Sequence, residues 1–436
     1  MNAEIHDYRL QQYLQRSINN LPANLSIQLK HLTCCNKKMA AFKNQKGFHQ
    51  GVFVLSNGES SKLFGTATCK NRWVCPTCTA KFMAKTASDI AAALDALDEQ
   101  EISAAMITFT MPHCRAMRLW HLLEILNNAW DRVFRIARAK RDKGFKNALS
   151  RMYADCQIQH RVRVAEITFG DNGWHPHYHC LFWTDNKFLQ KIGDFEIAMR
   201  DEWNHALKEE IIKFYKNNPQ AWLETKISAS VEKLADNLFK YSHKRNHGVH
   251  VSRDDDGAVR KIESSAYIAG WGGDSELTGS EKAKSAAAGH YTPRQLLLKA
   301  RDENDSFAFY KYIELCLDLT KKRFVRVSWS RSGISQIIRS WKKIHGDSRA
   351  VKKNSTPAKF RTVCWFTSEQ WYLISRENQK CERQIVSDIL ELALFENAFV
   401  MITQYLADLN ILPHAPCENV SIECVEKIFN AACNVA

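Results

Sequence analysis

Three histidines fall at alternate positions in Trp174-His-Pro-His-Tyr-His179, at 175, 177 and 179. Residues two apart on a β-strand share a face. An extended stretch here therefore presents His177 and His179 as neighbouring imidazoles, with His175 as a third in the row. Two same-face imidazoles are half of a divalent-metal site, and imidazole suits Zn, Mn, Fe or Ni. The apolar run Cys180-Leu-Phe-Trp183 that follows suits a buried strand, which would hold the rings rigidly. A catalytic metal keeps coordination positions open, so two or three protein ligands are expected. Glu166, on the preceding strand-like stretch, is the candidate third ligand, and His175 competes with it.

A second constellation is Cys69-x5-Cys75-Pro-Thr-Cys78. A C-x-x-C knuckle places two thiolates on one tetrahedral Zn, Cys69 offers a third, and Cys35 or Cys34 offers the fourth from upstream. A structural Zn2+ would knit together a basic segment that has few apolar residues of its own. The third constellation is Glu263-Ser-Ser-Ala-Tyr267. On a helix, positions i and i+4 share a face, so a carboxylate lies one turn from a phenol, a possible base and nucleophile.

The elements that must position these groups are legible from periodicity. Thr79–Leu97 and Arg118–Arg141 carry apolar residues at helical spacing, and Ser103–Met111 is strand-like. Arg161–Phe169 and the histidine stretch flank Asp171-Asn-Gly173, which predicts a hairpin. Helices are expected over Asp194–Lys216, Ser228–Tyr241, Ile262–Trp271, Phe307–Leu319 and Ile385–Leu409, and a strand over Phe324–Trp329. Residues 1–30 are polar and expected to be loosely organised, and residues 32–78 show little periodicity.

The chain has 436 residues, a formal net charge of +14 and 14 cysteines. Residues 381–436 hold eight acidic side chains against two basic ones, which leaves 59 basic and 39 acidic residues in the rest. A body this basic favours a polyanionic partner. The basic run Arg135–Lys146, with Arg138, Lys140 and Arg141, and the loop with Lys282 and Lys284 are candidate phosphate contacts. No apolar run approaches the length of a membrane span, and the N-terminus lacks the layout of a signal peptide. The expectation is a cytoplasmic protein with no membrane partner, whose clustered cysteines are reduced and bind metal.

In this order, the pieces resemble the replication initiators of small rolling-circle plasmids, in the HUH endonuclease superfamily. The resemblance covers roughly residues 30–340. Ile107-Thr-Phe-Thr-Met111 is similar to the family's first motif strand, and Gly173-Trp-His-Pro-His-Tyr-His179 to the HUH motif, with His177 and His179 as the pair. Ala266-Tyr-Ile-Ala-Gly-Trp-Gly272, Ser275-Glu-Leu-Thr278 and Thr292-Pro-Arg-Gln-Leu-Leu297 are similar to the nucleophile motif and its downstream stretch. Val327-Ser-Trp-Ser330 is a weaker match, and the cysteine module often precedes these motifs.

The resemblance implies an α+β HUH fold: a mainly antiparallel sheet flanked by helices, with an N-terminal zinc module and a helical C-terminal extension. The implied divisions are 1–100, 101–345 for the endonuclease domain, and an acidic region at 355–436. It also implies a metal-dependent nuclease, with Mn2+ or Mg2+ at the histidines, Tyr267 as nucleophile and Glu263 assisting. The implied partners are origin DNA and the host helicase and polymerase. One position departs from the pattern. The family usually carries Lys three residues after the tyrosine, where this chain has Gly270. Tyr241-Ser-His-Lys244 keeps that spacing but has Asn237 in the glutamate's place, so context favours Tyr267 and spacing favours Tyr241. An HUH transposase shares this chemistry, and a regulator that binds DNA without nicking it is the reading from a different class.

Overall fold

Alternating or continuous apolar runs build two antiparallel sheets in the computed structural model, which describes residues 3–35, 51–138, 148–185, 191–218, 290–321, 324–330, 333–345, 360–380 and 385–415. The strands are β1 (Val52–Ser56), β2 (Ser61–Phe64), β3 (Ile102–Phe109), β4 (His160–Gly170), β5 (Gly173–Asp185), β6 (Val327–Trp329) and β7 (Arg361–Phe366). The first six helices are α1 (Ala3–Asn19), α2 (Ala23–Leu29), α3 (Pro76–Asp98), α4 (Leu119–Arg138), α5 (Ala148–Asp155) and α6 (Ile192–Asn217). Further helices cover Pro293–Asp302, Ser306–Lys321, Ile334–His345, Ser368–Lys380, Ile385–Leu392 and Ala398–Leu406. The chain is thus α+β with antiparallel sheets.

One sheet has the order β3-β5-β4-β6. β4 and β5 form the expected hairpin, paired from His160↔Trp183 to Gly170↔Gly173. Gly173 takes φ +88°, and a Cβ there would lie 3.0 Å from the Arg115 backbone, so the turn requires glycine. β5 is buried along nearly its whole length because both faces are covered. On one face Val162, Val164, Leu181 and Trp183 pack with Ile90 and Leu97 of α3 and with Ile334 and Ile338. On the other, Phe109 and Phe182 meet Trp130 and Phe134 of α4, Phe195 and Trp203. Buried Arg163 lies against this second face, 5.0 Å from the Trp130 ring centre and 4.3 Å from that of Tyr178.

The other sheet has the order β2-β1-β7. Its core face, Val52, Val54, Leu63, Cys364 and Phe366, packs with Tyr8, Trp371, Ile374, Ile389 and Ile402. Two compact units follow. One comprises residues 1–81, 297–308 and 353–436, and the other 82–296 and 309–352.

This partition differs from the division into 1–100, 101–345 and 355–436 drawn from the sequence. Because β1 pairs with β7, the N-terminal segment and the C-terminal region share one sheet and one core. The expectation for residues 1–30 is also corrected: α1 and α2 are helices, and Leu10, Leu14 and Ile18 are fully buried at helical spacing. The strand β7 stands where only helix was expected. The helices expected at Ser228–Tyr241 and Ile262–Trp271 lie outside the described residues.

Candidate metal centres

The site on the β3-β5-β4 sheet follows from register. Glu166 faces His177 across the hairpin, and Thr108 of β3 faces His179. Cross-strand partners project on one face, so Glu166, Thr108, His177 and His179 converge. The Glu166 Oε2 atom lies 3.0 Å from Nε2 of His177 and 3.1 Å from Nε2 of His179, and the two Nε2 atoms are 3.2 Å apart. Both histidines are buried.

The other ring nitrogens are engaged too. His177 Nδ1 lies 3.3 Å from the His175 carbonyl, which can only accept, so the ring's Nδ1–H donates there. His179 Nδ1 lies 3.0 Å from the Thr108 hydroxyl. With Nδ1 engaged behind, each ring presents Nε2 beside the carboxylate oxygen, and this set of two imidazole nitrogens and one carboxylate fits a divalent metal. Glu166, His177 and His179 are one of two groups among the described residues able to hold an ion.

His175 is not part of the trio. Its ring stacks on His177 with centres 4.8 Å apart and on His113 at 4.7 Å. Burial, together with the neighbouring His177, His113 and His290, pushes its pKa down to about 2, so it stays neutral. Of the two candidates for third ligand, the structure brings Glu166 to the pair and leaves His175 one ring outward. Thr108 and His113 are the neighbours that sequence reasoning missed. Thr108 sits within the motif strand Ile107–Met111, but its role appears only with the β3–β5 register.

The second group is Cys35, Cys69, Cys75 and Cys78, whose sulfurs all lie within 4.8 Å of one another. Cys78 Sγ is 3.5 Å from Cys35 Sγ and 3.6 Å from Cys69 Sγ. Cys34 stays exposed, its thiol on the His31 carbonyl, so the fourth position falls to Cys35. The thiols of Cys35, Cys69 and Cys75 hold the Cys78 sulfur well below the usual thiol range, while burial above all pushes Cys75 above it. Four sulfurs that compete for protons in one pocket suit a thiophilic cation.

Helix α1 braces this pocket. The Gln11 amide donates to the Leu32 carbonyl at 3.0 Å while its oxygen accepts the Cys75 thiol at 3.0 Å, and the Gln15 amide donates to the Cys35 carbonyl at 2.8 Å. Both glutamines are buried. Their i, i+4 spacing beside Leu10 and Leu14 was the available signal.

The remaining candidates lie elsewhere. Glu263, Tyr267, Tyr241, Gly270, Lys282 and Lys284 fall outside the described residues, as do Lys140 and Arg141 and the side chain of Arg138 at the end of α4. No helix among the described residues is long and apolar enough to cross a membrane.

Comparison with known proteins bears on the same stretch. The family described as replication protein matches residues 60–247. The chain is 29% identical over 179 residues to a protein named "Protein rep" of Streptomyces lividans, covering 35% of this chain and 39% of the relative. It is 25% identical over 162 residues to a protein named "Neomycin resistance protein" of Streptomyces cyanogenus, covering 34% of this chain and 37% of the relative. The match thus spans well under half the length of either relative. No solved structure matches. The stretch that is similar to the replication-protein family, residues 60–247, is the one that holds Glu166, the paired histidines and three of the four clustered cysteines.

Proposed function

We infer that this chain is a plasmid or phage replication initiator that nicks one DNA strand at an origin and rejoins it when a replication round ends. The observation that carries the reading is the convergence of Glu166, His177 and His179, whose ligand atoms lie within 4.8 Å of one another on the sheet. The match of the surrounding stretch to replication proteins supports it. In this reading the β3-β5-β4-β6 sheet and its helices are an HUH endonuclease domain.

Glu166, His177 and His179 would hold Mn2+ or Mg2+, which when bound would supply Lewis-acid polarisation of the scissile phosphodiester. The Tyr267 oxygen gives up its proton and attacks phosphorus, the bond from phosphorus to the 3′ oxygen breaks, and that oxygen takes up a proton to become the free 3′-OH. The product is a 5′-phosphotyrosyl link. Host polymerase extends the free 3′ end with host helicase as a further partner, a partnership that follows from the reading. Glu263 activates water in the closing step. The four cysteines hold Zn2+ as a structural ion. Arg138, Lys140, Arg141, Lys282 and Lys284 contact phosphates.

The test is incubation of the full chain with labelled single-stranded origin DNA and Mn2+. The wild type is expected to form a covalent adduct that mass spectrometry places on Tyr267, Tyr267→Phe to bind DNA without forming it, and His177→Ala or His179→Ala to lose cleavage. An adduct on Tyr241 keeps the enzyme class and moves the nucleophile. Absence of any adduct, with DNA still bound in a salt-sensitive way, turns the reading to a regulator. Action on the ends of a mobile element would make it a transposase. For the basic run, Arg138→Ala and Lys140→Ala are each expected to lower the slope of log affinity against log salt by about one; an unchanged slope removes them from the interface.

A further inference from the structure

We propose that the helix Ile334–His345 reads double-stranded DNA: its outer face enters the major groove and gives the chain its preference for one sequence. The proposal rests on the reading of the chain as an origin-specific initiator, and it uses residues that the nicking chemistry leaves alone.

The two faces of the helix follow from its period. Ile334 and Ile338 are buried, with Ile337 and Trp341 packed beside them, in the core that holds Val162, Val164, Leu181 and Trp183 of the β4–β5 hairpin. Gln336, Arg339, Ser340 and Lys343 fall on the opposite face at positions i, i+3, i+4 and i+7, and all four are exposed. Ile344, 75% exposed, borders this stripe. Gly333, at φ +81°, turns the chain into the helix, and its carbonyl accepts the Gln336 N–H at 2.8 Å. On the flank, the Lys342 ammonium donates to the Ser88 hydroxyl at 2.6 Å and to the Asp89 carboxylate at 2.7 Å, both on α3. The helix is thus fastened by its inner face and by one side, and the outer stripe is carried on a fixed mount.

The side chains of the stripe are the ones that read bases. The 12 residues of the helix include Arg339, Lys342, Lys343 and His345 and no carboxylate, whereas a helix face that is merely solvated usually mixes both signs. Lys342 is paired with Asp89; Arg339 and Lys343 are in no ion pair among the described residues. The Arg339 Nε–H donates to the Ser335 carbonyl at 3.1 Å. Its two terminal nitrogens supply the pair of donors that guanine O6 and N7 accept. The Gln336 amide matches adenine N6 and N7, the Ser340 hydroxyl suits a donor or an acceptor, an exposed isoleucine suits a thymine methyl, and the Lys343 ammonium suits a phosphate. A helix about 10–12 Å across fits a major groove about 12 Å wide. An anionic membrane would need the cations and the isoleucine, but not an amide and a hydroxyl set between them. A single strand has no groove for the helix to enter.

The experiment uses the full chain with Tyr267→Phe, so that the DNA stays uncut, and a library of short duplexes with a randomised centre. Repeated selection is expected to enrich one sequence. On that duplex, bound protein is expected to block methylation of a guanine N7 by dimethyl sulfate, and Arg339→Ala to reopen that position. Arg339→Ala is also expected to weaken binding to the enriched duplex about five- to 150-fold, and binding to the unselected library far less. Gln336→Ala is expected to relax the preference at a second position. Lys343→Gln is expected to lower the slope of log affinity against log salt by about one without changing the preferred sequence. These three side chains are exposed, so circular dichroism and unfolding midpoints should stay at wild-type values. A selection that yields no preferred sequence would overturn the proposal. So would a preference and guanine protection that persist when Gln336→Ala and Arg339→Ala are combined. Binding to anionic phospholipid vesicles that the combined variant loses, while its duplex affinity holds, would assign the face to a membrane instead. The two readings fail separately. A wild-type chain that forms the Tyr267 adduct, but whose duplex preference ignores Arg339, loses only the reading helix. One whose duplex preference depends on Arg339, but which forms no adduct, loses only the nicking.

Discussion

His179 is held from two sides: its Nε2 faces Glu166 and its Nδ1 meets the Thr108 hydroxyl at 3.0 Å. Partners of this second kind fix the tautomer and orientation of a metal-binding imidazole, and their loss typically costs about 10- to 100-fold in metal affinity. Thr108→Val keeps the shape and removes the hydroxyl. It is expected to weaken Mn2+ binding by that order in calorimetry with little change in unfolding midpoint, and Thr108→Ser to restore it. A Thr108→Val chain with wild-type Mn2+ affinity would leave the hydroxyl without a role. In the cysteine cluster, Cys78 is the sulfur nearest to being a thiolate. Cys78→Ser is expected to lose about one zinc per chain, measured by elemental analysis. The histidine pair and Glu166 were legible in the sequence because a period of two and a tight turn fix which residues share a face. Thr108 was not, because the register of β3 against β5 joins residues some seventy positions apart, and no local pattern encodes it.

At the scale of elements, α4 shows how a helix covers a sheet and stores a pH response. Its Trp130 and Phe134 pack on the sheet, while fully buried His121 contacts Trp120, Phe214 and Tyr215. Among the described residues, neither ring nitrogen of His121 has a hydrogen-bond partner. Burial, with Arg118 adding its charge, pushes the His121 pKa down to about 4 from the ordinary 6.5. The unfolded chain therefore takes up this proton first as pH falls. Stability from the neutral ring is complete above about pH 6.5, declines as pH drops toward 4, and levels off below that. His121→Phe is expected to lose less of its urea midpoint than the wild type between pH 7 and pH 5. Equal losses would place the acid sensitivity in other groups. α3, α4, α6 and the β4–β5 hairpin were all readable, because each buries a stripe or face of matching period. α1 was read as loose because its buried face includes Gln11 and Gln15, polar residues whose partners belong to the cysteine pocket.

The whole molecule is threaded so that its ends meet in one sheet. β1 and β7, about three hundred residues apart, pair from Val52↔Phe366 to Ser56↔Arg361, and Arg9 of α1 forms an ion pair with Glu391. Sequence periodicity reports local elements and is silent on such pairings, so the composition shift toward an acidic C-terminus was read as a separate region. The charge difference is real, but it does not mark an independent core. The physical consequence can be tested by deleting residues 353–436. Deletion removes Val363, Phe366, Trp371, Ile374, Ile389 and Ile402 from the core around Val52, Val54 and Leu63. At about 1.5–3 kcal/mol for each buried side chain, these six alone approach the whole stability of a typical domain, roughly 5–15 kcal/mol. The remaining β1–β2 hairpin would expose its apolar face, and an isolated hairpin is marginal at best. The cysteine cluster lies in the same unit, so zinc retention reports on its integrity. The shortened chain is expected to accumulate as aggregate and to hold far less than one zinc per chain. A soluble 1–352 fragment that keeps its zinc and a cooperative unfolding transition would show that the C-terminal segment is an appendage rather than half of this core.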